Sequence, residues 1–197
     1  YPYLNSYSFC REDAIRSVLR YSGQNPIVST TGKISREVYE IRDGEGEGHG
    51  LDFLTVGSMG HASSIALGIA LEKKNKRIFC LDGDGAALMH MGAMATIGAV
   101  SPGNFVHILL NNEAHETVGG QPTVSKTVNY REIAKAVGYR KVYLAKEKAA
   151  LETALSESEK ESGPIFIEIH CSISSRADLG RPKTTAIENK EAFMEEL

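Results

Sequence analysis

The 197-residue sequence has few cysteines, and their spacing forms no recognisable framework. Cys10, Cys80 and Cys171 are far apart, odd in number and without a C-x-x-C pair. Neither a set of disulfides nor a zinc site is therefore indicated. Cys80 lies inside an apolar run and Cys171 closes another, so we expect all three to be buried small hydrophobic residues rather than nucleophiles.

The sequence also lacks a strong excess of charge and any long apolar segment. Its formal net charge of −3 gives no basic field for nucleic acid, so an anionic ligand must be held by a local arrangement of donors. No stretch approaches roughly 18 apolar residues in a row, and residues 1–5 lack the charged-then-apolar pattern of a signal peptide. We expect no membrane segment and a cytoplasmic location. The missing initiator Met suggests a fragment of a longer chain.

Short apolar runs rich in β-branched residues alternate with segments of helical spacing. The predicted strands are residues 27–29, 53–56, 77–81, 105–110, 141–144 and 165–170. The predicted helices are residues 11–21, 35–41, 61–72, 86–97, 130–136 and 148–162. This alternation predicts right-handed βαβ units, and hence a three-layer α/β/α fold whose mainly parallel sheet has about six strands. Residues 1–197, with ordinary composition, are expected to form one domain.

Glycine-containing loops interrupt the alternation at residues 44–50, 57–60 and 83–85. In an open parallel sheet, ligands bind beyond the carboxyl ends of strands, near the point where the strand order reverses. The loops at 57–60 and 83–85 each follow a predicted strand directly. They are therefore the first candidates for a ligand site.

The loop at 83–85 combines glycine with a carboxylate. Gly83 and Gly85 permit a tight turn, and the helix that follows offers free N–H groups to an anion. Asp84 would repel a phosphate unless a cation lay between them. Mg²⁺ resolves the conflict, because it takes about six oxygens and is commonly shared between carboxylates and the phosphates of a ligand.

Asn112 follows the next predicted strand, so parallel pairing would bring it close to Asp84. Its amide oxygen and the backbone carbonyl of Ala114 could join Asp84 on one side of the ion, leaving the other side for diphosphate oxygens. Two alternatives stay open. The residues could form an ordinary turn beside a polar strand end, or a dinucleotide-binding fingerprint, although Leu88 stands where that fingerprint needs its third glycine.

The pattern G-D-G at 83–85, followed after a helix and a strand by N-N at 111–112, resembles the motif of thiamine-diphosphate enzymes. The resemblance implies the thiamine-diphosphate-binding fold, with Asp84, Asn112 and the Ala114 carbonyl as Mg²⁺ ligands. Many members have glycine where this chain has Ala114, but only the carbonyl is needed. The cofactor-binding residues that the resemblance implies are Thr31, Gly32, Lys33, Gly57, Ser58, Met59, Asp84, Gly85, Ala86, Asn112 and Ala114.

Two further loops take their roles from this resemblance. In related enzymes the segment matching residues 57–60 holds the aminopyrimidine ring, which implies that the Gly57 carbonyl and the Met59 N–H bind it. The Met59 side chain would support the bent cofactor that brings its amino group beside the reactive carbon. An ordinary core position is the alternative for Met59. Lys33 would add positive charge in a diphosphate loop at 30–33.

The resemblance covers roughly residues 11–194 and is closest to phosphonopyruvate decarboxylases, with sulfopyruvate decarboxylase as the nearest relative. The matching phrases lie at residues 28–33, 52–62, 81–91, 118–123 and 176–182. The resemblance implies a lyase that converts 3-phosphonopyruvate into phosphonoacetaldehyde and carbon dioxide. A subunit of a sulfopyruvate decarboxylase is the alternative.

Catalytic and substrate-binding residues are less sharply indicated. His115 and His61 flank the cofactor loops and are candidates for proton transfer, with a structural role as the alternative for each. Gln121, Arg176 and Arg181 are candidates for binding the anionic tail of a small 2-oxo acid. For the two arginines, surface or inter-subunit salt bridges are the alternative.

The resemblance also implies a partner. Related enzymes use a glutamate from a second, pyrimidine-binding domain to activate the cofactor, and no such domain fits within this sequence. We expect that domain to come from a missing N-terminal segment or a separate subunit, within a homo-oligomer. The chain alone is expected to bind thiamine diphosphate weakly and to turn over nothing. A non-catalytic regulatory or interaction module that retains the fold is the alternative from another class.

Overall fold

The computed structural model describes residues 3–197. Tyr1 and Pro2, which belong to the segment tested above for a signal-peptide pattern, lie outside the described residues. The strands are β1 (Ile27–Ser29), β2 (Asp52–Leu54), β3 (Ile78–Gly83), β4 (Phe105–Asn111), β5 (Ala114–His115), β6 (Gln121–Pro122), β7 (Lys141–Ala145) and β8 (Ile165–His170). Six of them form one parallel sheet in the order β2-β1-β3-β4-β8-β7. Strands β5 and β6 form a separate antiparallel hairpin.

Helices cover both faces of the sheet. They are α1 (Arg11–Ser22), α2 (Lys33–Glu45), α3 (Ala62–Glu72), α4 (Asp84–Met89), α5 (Gly92–Val100), α6 (Tyr130–Val137), α7 (Lys148–Glu159) and α8 (Ala186–Glu196). The apolar sides of α1, α2 and α7 share one buried cluster with the sheet, and those of α3, α5 and α6 share the other. The predicted three-layer α/β/α fold is confirmed.

Several predicted elements need correction. The helix predicted at 86–97 is two helices, because His90 leaves the helical region with φ −138° and ψ 41° where the loop at 57–60 packs against it. The helix predicted at 148–162 ends at Glu159, so the last three predicted residues lie outside it. Helix α8 was not predicted, although Thr185 and Glu188 form a capping box at its start.

The expected burial of the cysteines holds for two of the three. Cys80 and Cys171 are fully buried in the clusters on either side of the sheet. Cys10 is half-buried, because it stands just before α1, outside the sheet core. No helix within residues 3–197 combines the length and apolar character needed to cross a membrane.

The strand order reverses between β1 and β3. From β1 the chain continues to β2 on one side, whereas β3 lies on the other side and leads on to β4. Ser29 is in register with Leu81, and Gly83 with Leu110. The carboxyl ends of β1, β3 and β4 therefore meet at one edge, which is where a parallel sheet of this kind binds its ligands.

Candidate functional site

A cavity of about 290 Å³ opens at the reversal point. Its walls are residues 30–34 after β1, residues 83–86 at the end of β3, and residues 112 and 114–118 after β4, with Arg11, Met59 and Leu110 completing them. The predicted site residues on the wall are Thr31, Gly32, Lys33, Met59, Asp84, Gly85, Ala86, Asn112, Ala114 and His115. The fold thus brings three segments that are distant in sequence to one cavity.

Asp84 is the buried carboxylate of this cavity, with 2% of its surface exposed. Its Oδ2 atom accepts hydrogen bonds from Oγ1 of Thr123 at 2.6 Å and from Oγ of Ser125 at 2.7 Å. Burial raises the pKa of Asp84, and these hydroxyls together with the Gly85 N–H oppose that rise. Sequence reasoning missed Thr123 and Ser125, since neither residue type nor spacing connects them to a carboxylate so far away.

Asn112 directly follows β4, and Ala114, two residues later, begins β5. Oδ1 of Asn112 accepts from the N–H of Ala114 at 3.2 Å, and the side chain of Asn5 donates to the Asn112 carbonyl at 2.8 Å. Between them, Glu113 has a left-handed backbone with φ 59°. Its carboxylate accepts the hydroxyl of Tyr7 at 2.7 Å, which fixes the loop from the N-terminal segment.

The cations on the cavity wall are already paired with carboxylates. Nζ of Lys33 donates to Oε1 of Glu116 at 2.8 Å, and Arg11 donates to Oε2 of the same carboxylate. Burial alone would raise the pKa of Glu116, but Arg11 and Lys33 outweigh it and hold that pKa below its ordinary value. Arg11 also forms a bidentate ion pair with the buried Glu37, in which Nη2 donates to Oε1 at 2.7 Å and Nε donates to Oε2 at 2.8 Å. Only Lys33 of this group was predicted.

The wall also carries donors suited to phosphate oxygens. Oγ1 of Thr30 is buried and lines the cavity, and it has no hydrogen-bond partner among the described residues. Helix α2 begins at Lys33 without a side-chain cap, so the N–H groups of its first turn remain available beside the cavity. These donors, together with the oxygens of Asp84 and Asn112, fit a divalent cation shared with a diphosphate.

Two glycines keep the cavity open. A Cβ atom on Gly85 would lie 2.5 Å from Cε1 of His115 and 3.3 Å from Cε of Met59. Gly32 has φ 101°, and a Cβ there would lie 2.7 Å from Oγ1 of Thr117. A side chain at Gly32 would be strained by its backbone conformation, and one at Gly85 would displace the His115 ring.

The loop at 57–60 contacts the site mainly through Met59. The Gly57 N–H donates to Oγ1 of Thr31 at 3.1 Å, which ties this loop to the one after β1. Gly57 and Ser58 do not line the cavity. His61 is exposed outside it, with its ring 4.4 Å from that of His90. Of the two predicted proton-transfer residues, only His115 lies on the wall.

The structure does not bring the predicted substrate-binding residues to the cavity. Arg176 pairs with Glu12 at 2.9 Å and also with Glu40, fastening the segment after β8 to helices α1 and α2. Gln121 is exposed in the β5–β6 hairpin, and Arg181 is exposed beyond Arg176. A role for these side chains at the substrate would require a surface other than the cavity wall.

Comparison with known proteins identifies the family. Residues 30–169 match the family model described as thiamine pyrophosphate enzyme, C-terminal TPP binding domain. The chain is 41% identical over 169 residues to phosphonopyruvate decarboxylase of Streptomyces hygroscopicus, covering 86% of this chain and 41% of that protein. It is 35% identical over 159 residues to sulfopyruvate decarboxylase subunit beta of Methanothermobacter thermautotrophicus, covering 81% and 80%.

A solved structure shows the same fold. An enzyme from Mycobacterium smegmatis described as thiamin diphosphate-dependent aligns with a TM-score of 0.65 at 16% identity, over 83% of this chain and 32% of that one. The chain spans 41% of the length of the Streptomyces phosphonopyruvate decarboxylases that it matches. The predicted resemblance is confirmed, and so is thiamine diphosphate as the cofactor of the family: the chain belongs to the C-terminal thiamine-pyrophosphate-binding domains of thiamine pyrophosphate enzymes.

Proposed function

We propose that this chain forms the diphosphate- and Mg²⁺-binding domain of a decarboxylase that acts on a small anionic 2-oxo acid, with 3-phosphonopyruvate as the first candidate. The observation that carries the proposal is the buried carboxylate of Asp84, which shares one cavity with Asn112 and with the free donors around Thr30. Oxygen ligands beside phosphate-binding donors suit Mg²⁺ held jointly by protein and diphosphate.

The roles within the cavity follow from what lines it. Asp84, Asn112 and the Ala114 carbonyl would hold the metal ion, and Thr30 with the first turn of α2 would bind diphosphate oxygens. When bound, thiamine diphosphate supplies a nucleophilic carbon and an electron sink for the decarboxylation. Met59 would support the cofactor from the cavity wall. His115, packed beside Gly85, is the candidate for holding or moving a proton at its ring nitrogens.

The choice of substrate rests on the relatives. Identity is 41% to a phosphonopyruvate decarboxylase and 35% to a sulfopyruvate decarboxylase subunit. Phosphonate and sulfonate tails are both tetrahedral and anionic, so the same kind of donor can bind either. Sulfopyruvate therefore remains the second candidate.

We further propose that the cavity is completed by a pyrimidine-binding domain, on the same polypeptide or on a partner subunit. The relatives named as sulfopyruvate decarboxylase subunit beta support a partner subunit. Exposed apolar side chains, one of which lines the cavity, provide a surface for such a domain. They are Val56, Met89, Val118 and Val124.

The test uses the chain assembled with its pyrimidine-binding domain. Calorimetric titration with thiamine diphosphate should show tight binding with Mg²⁺ and weak binding without it, and Asp84→Asn should abolish the difference. Decarboxylation of phosphonopyruvate, sulfopyruvate and pyruvate is then compared, and we expect phosphonopyruvate to have the highest kcat/KM. Equal cofactor binding with and without Mg²⁺ would contradict the metal assignment. Absence of any cofactor binding would favour the non-catalytic module.

A further inference from the structure

The two oxygens of the Asp84 carboxylate have different surroundings. Oδ2 accepts the hydroxyls of Thr123 and Ser125 at 2.6 and 2.7 Å. Among the residues that the structure describes, no side chain donates to Oδ1, although Asp84 lines the cavity. An sp² oxygen has two lone pairs, so the two hydroxyls use the hydrogen-bonding capacity of Oδ2 and leave Oδ1 for another partner.

The two hydroxyls are themselves held in place. The Thr123 N–H donates to the Glu113 carbonyl at 2.9 Å, and the Ser125 N–H donates to Oγ1 of Thr123 at 3.2 Å. Oγ of Ser125 lies 2.7 Å from the hydroxyl of the fully buried Tyr130. Each of the three hydroxyls has one proton to donate. The hydroxyls of Thr123 and Ser125 donate to Asp84, and the hydroxyl of Tyr130 donates to Oγ of Ser125, so the three hydrogen bonds are compatible.

We propose that Thr123 and Ser125 are positioning residues that keep Asp84 a one-oxygen metal ligand and thereby set a preference for Mg²⁺ over Ca²⁺. This inference rests on the proposed metal site. Mg²⁺ demands compact octahedral geometry, whereas Ca²⁺ takes more ligands at longer distances and readily accepts both oxygens of one carboxylate. With Oδ2 occupied by hydroxyls, the site offers the geometry that suits the smaller ion.

The experiment measures metal binding directly, in the chain assembled with its pyrimidine-binding domain and saturated with thiamine diphosphate. Dissociation constants for Mg²⁺ and Ca²⁺ are determined by calorimetry for the unaltered protein, Thr123→Val, Ser125→Ala and the double variant. The matched control is Thr127→Val, since Thr127 is exposed in the same turn and, within residues 3–197, its hydroxyl donates only to the Val124 carbonyl. Thr123→Ser tests rescue, because it restores the hydroxyl.

We expect the ratio of the Ca²⁺ to the Mg²⁺ dissociation constant to fall about ten-fold in the double variant, since charge-assisted hydrogen bonds of this kind are strong. Each single variant should move it partway, while Thr127→Val and Thr123→Ser should leave it unchanged. Equal weakening of Mg²⁺ and Ca²⁺ binding would overturn the inference, because a purely structural role predicts that the ratio of the two dissociation constants stays constant. Thr123→Val preserves shape, so it carries the test if the double variant does not fold.

Asp84→Asn separates this inference from the function beneath it. Suppose that Asp84→Asn weakens the binding of both metals at least ten-fold, while the hydroxyl variants keep the original ratio of dissociation constants. The proposed metal site is then supported and the positioning role is wrong. If Asp84→Asn changes neither constant, the proposed metal site fails and the inference falls with it.

Discussion

The buried ion pair between Arg11 and Glu37 provides the sharpest test of how the site is anchored. Glu37 is fully buried, and both of its oxygens accept from the guanidinium of Arg11. The perturbation is Glu37→Gln, which preserves size but removes the charge and turns one acceptor into a donor facing another donor. Arg11 then keeps only Glu116 as a charged partner. A buried guanidinium keeps its proton and its charge, so nothing compensates for the loss of the Glu37 carboxylate.

The expected cost follows from the burial of the pair. Removing one partner of a buried ion pair destabilises a protein by about 3–5 kcal/mol. The matched control is Glu45→Gln, whose ion pairs with Arg16 and Arg20 are partly exposed. Such surface pairs contribute about 0–1 kcal/mol. For a chain of this length each kcal/mol corresponds to roughly 2–4 °C in Tm, so the two variants should melt at clearly separate temperatures.

The assay is urea unfolding followed by circular dichroism, with the slope of free energy against urea checked for constancy. Replacing both partners by apolar residues, Arg11→Met with Glu37→Leu, should recover much of the loss, because no unpaired buried charge remains. The reasoning would be refuted if Glu37→Gln destabilised the chain no more than Glu45→Gln does. It would also be refuted if the apolar pair were less stable than Glu37→Gln alone.

Three further outcomes are expected. Gly85→Ala should weaken thiamine diphosphate binding in calorimetry by about ten-fold, since its Cβ would press on His115 at 2.5 Å; unchanged affinity would place the ligand elsewhere. Burial would raise the pKa of Glu168, but His170 and Asn111 hold it below the ordinary value. Its contribution to stability is therefore present above the unfolded pKa near 4.5 and lost as the pH falls through the lower folded pKa, so Glu168→Gln should flatten the acid limb of stability against pH. Arg176→Ala should change stability by less than about 1 kcal/mol and leave KM unaltered; a raised KM would restore its predicted role in substrate binding.

The sequence was sufficient for the sheet and for part of the site. Strands β3 and β4 are apolar runs, and parallel strands of one sheet place the residues that follow them at the same edge. The sequence therefore predicts that Asp84 and Asn112 lie at one edge of the sheet. The motif also contains the carboxylate and the amide themselves, so their ability to bind a metal ion can be predicted from the sequence.

The remaining parts of the site depend on the course of the loops, which no local sequence pattern predicts. Thr123 reaches Asp84 only because the β5–β6 hairpin folds back over the end of β3, and hydroxyl residues in loops have no periodicity to reveal this. The break after Met89 contains no proline, and it lies where Gly60 closely approaches His90. Helix α8 is different, since its capping box at Thr185 is readable in the sequence and was overlooked.

The pairing of charges gives further support to the proposed metal ion at this cavity. Lys33 was expected to supply positive charge to the diphosphate, but its ammonium is shared with Glu116, and Arg11 is shared between Glu116 and Glu37. The cations on the wall are thus largely neutralised, while the buried carboxylate of Asp84 is stabilised by two hydroxyls and a backbone N–H, with a smaller contribution from His115. A diphosphate approaching these side chains would meet net repulsion. A divalent cation reverses that balance, so cofactor affinity should depend on Mg²⁺ far more steeply than on Lys33.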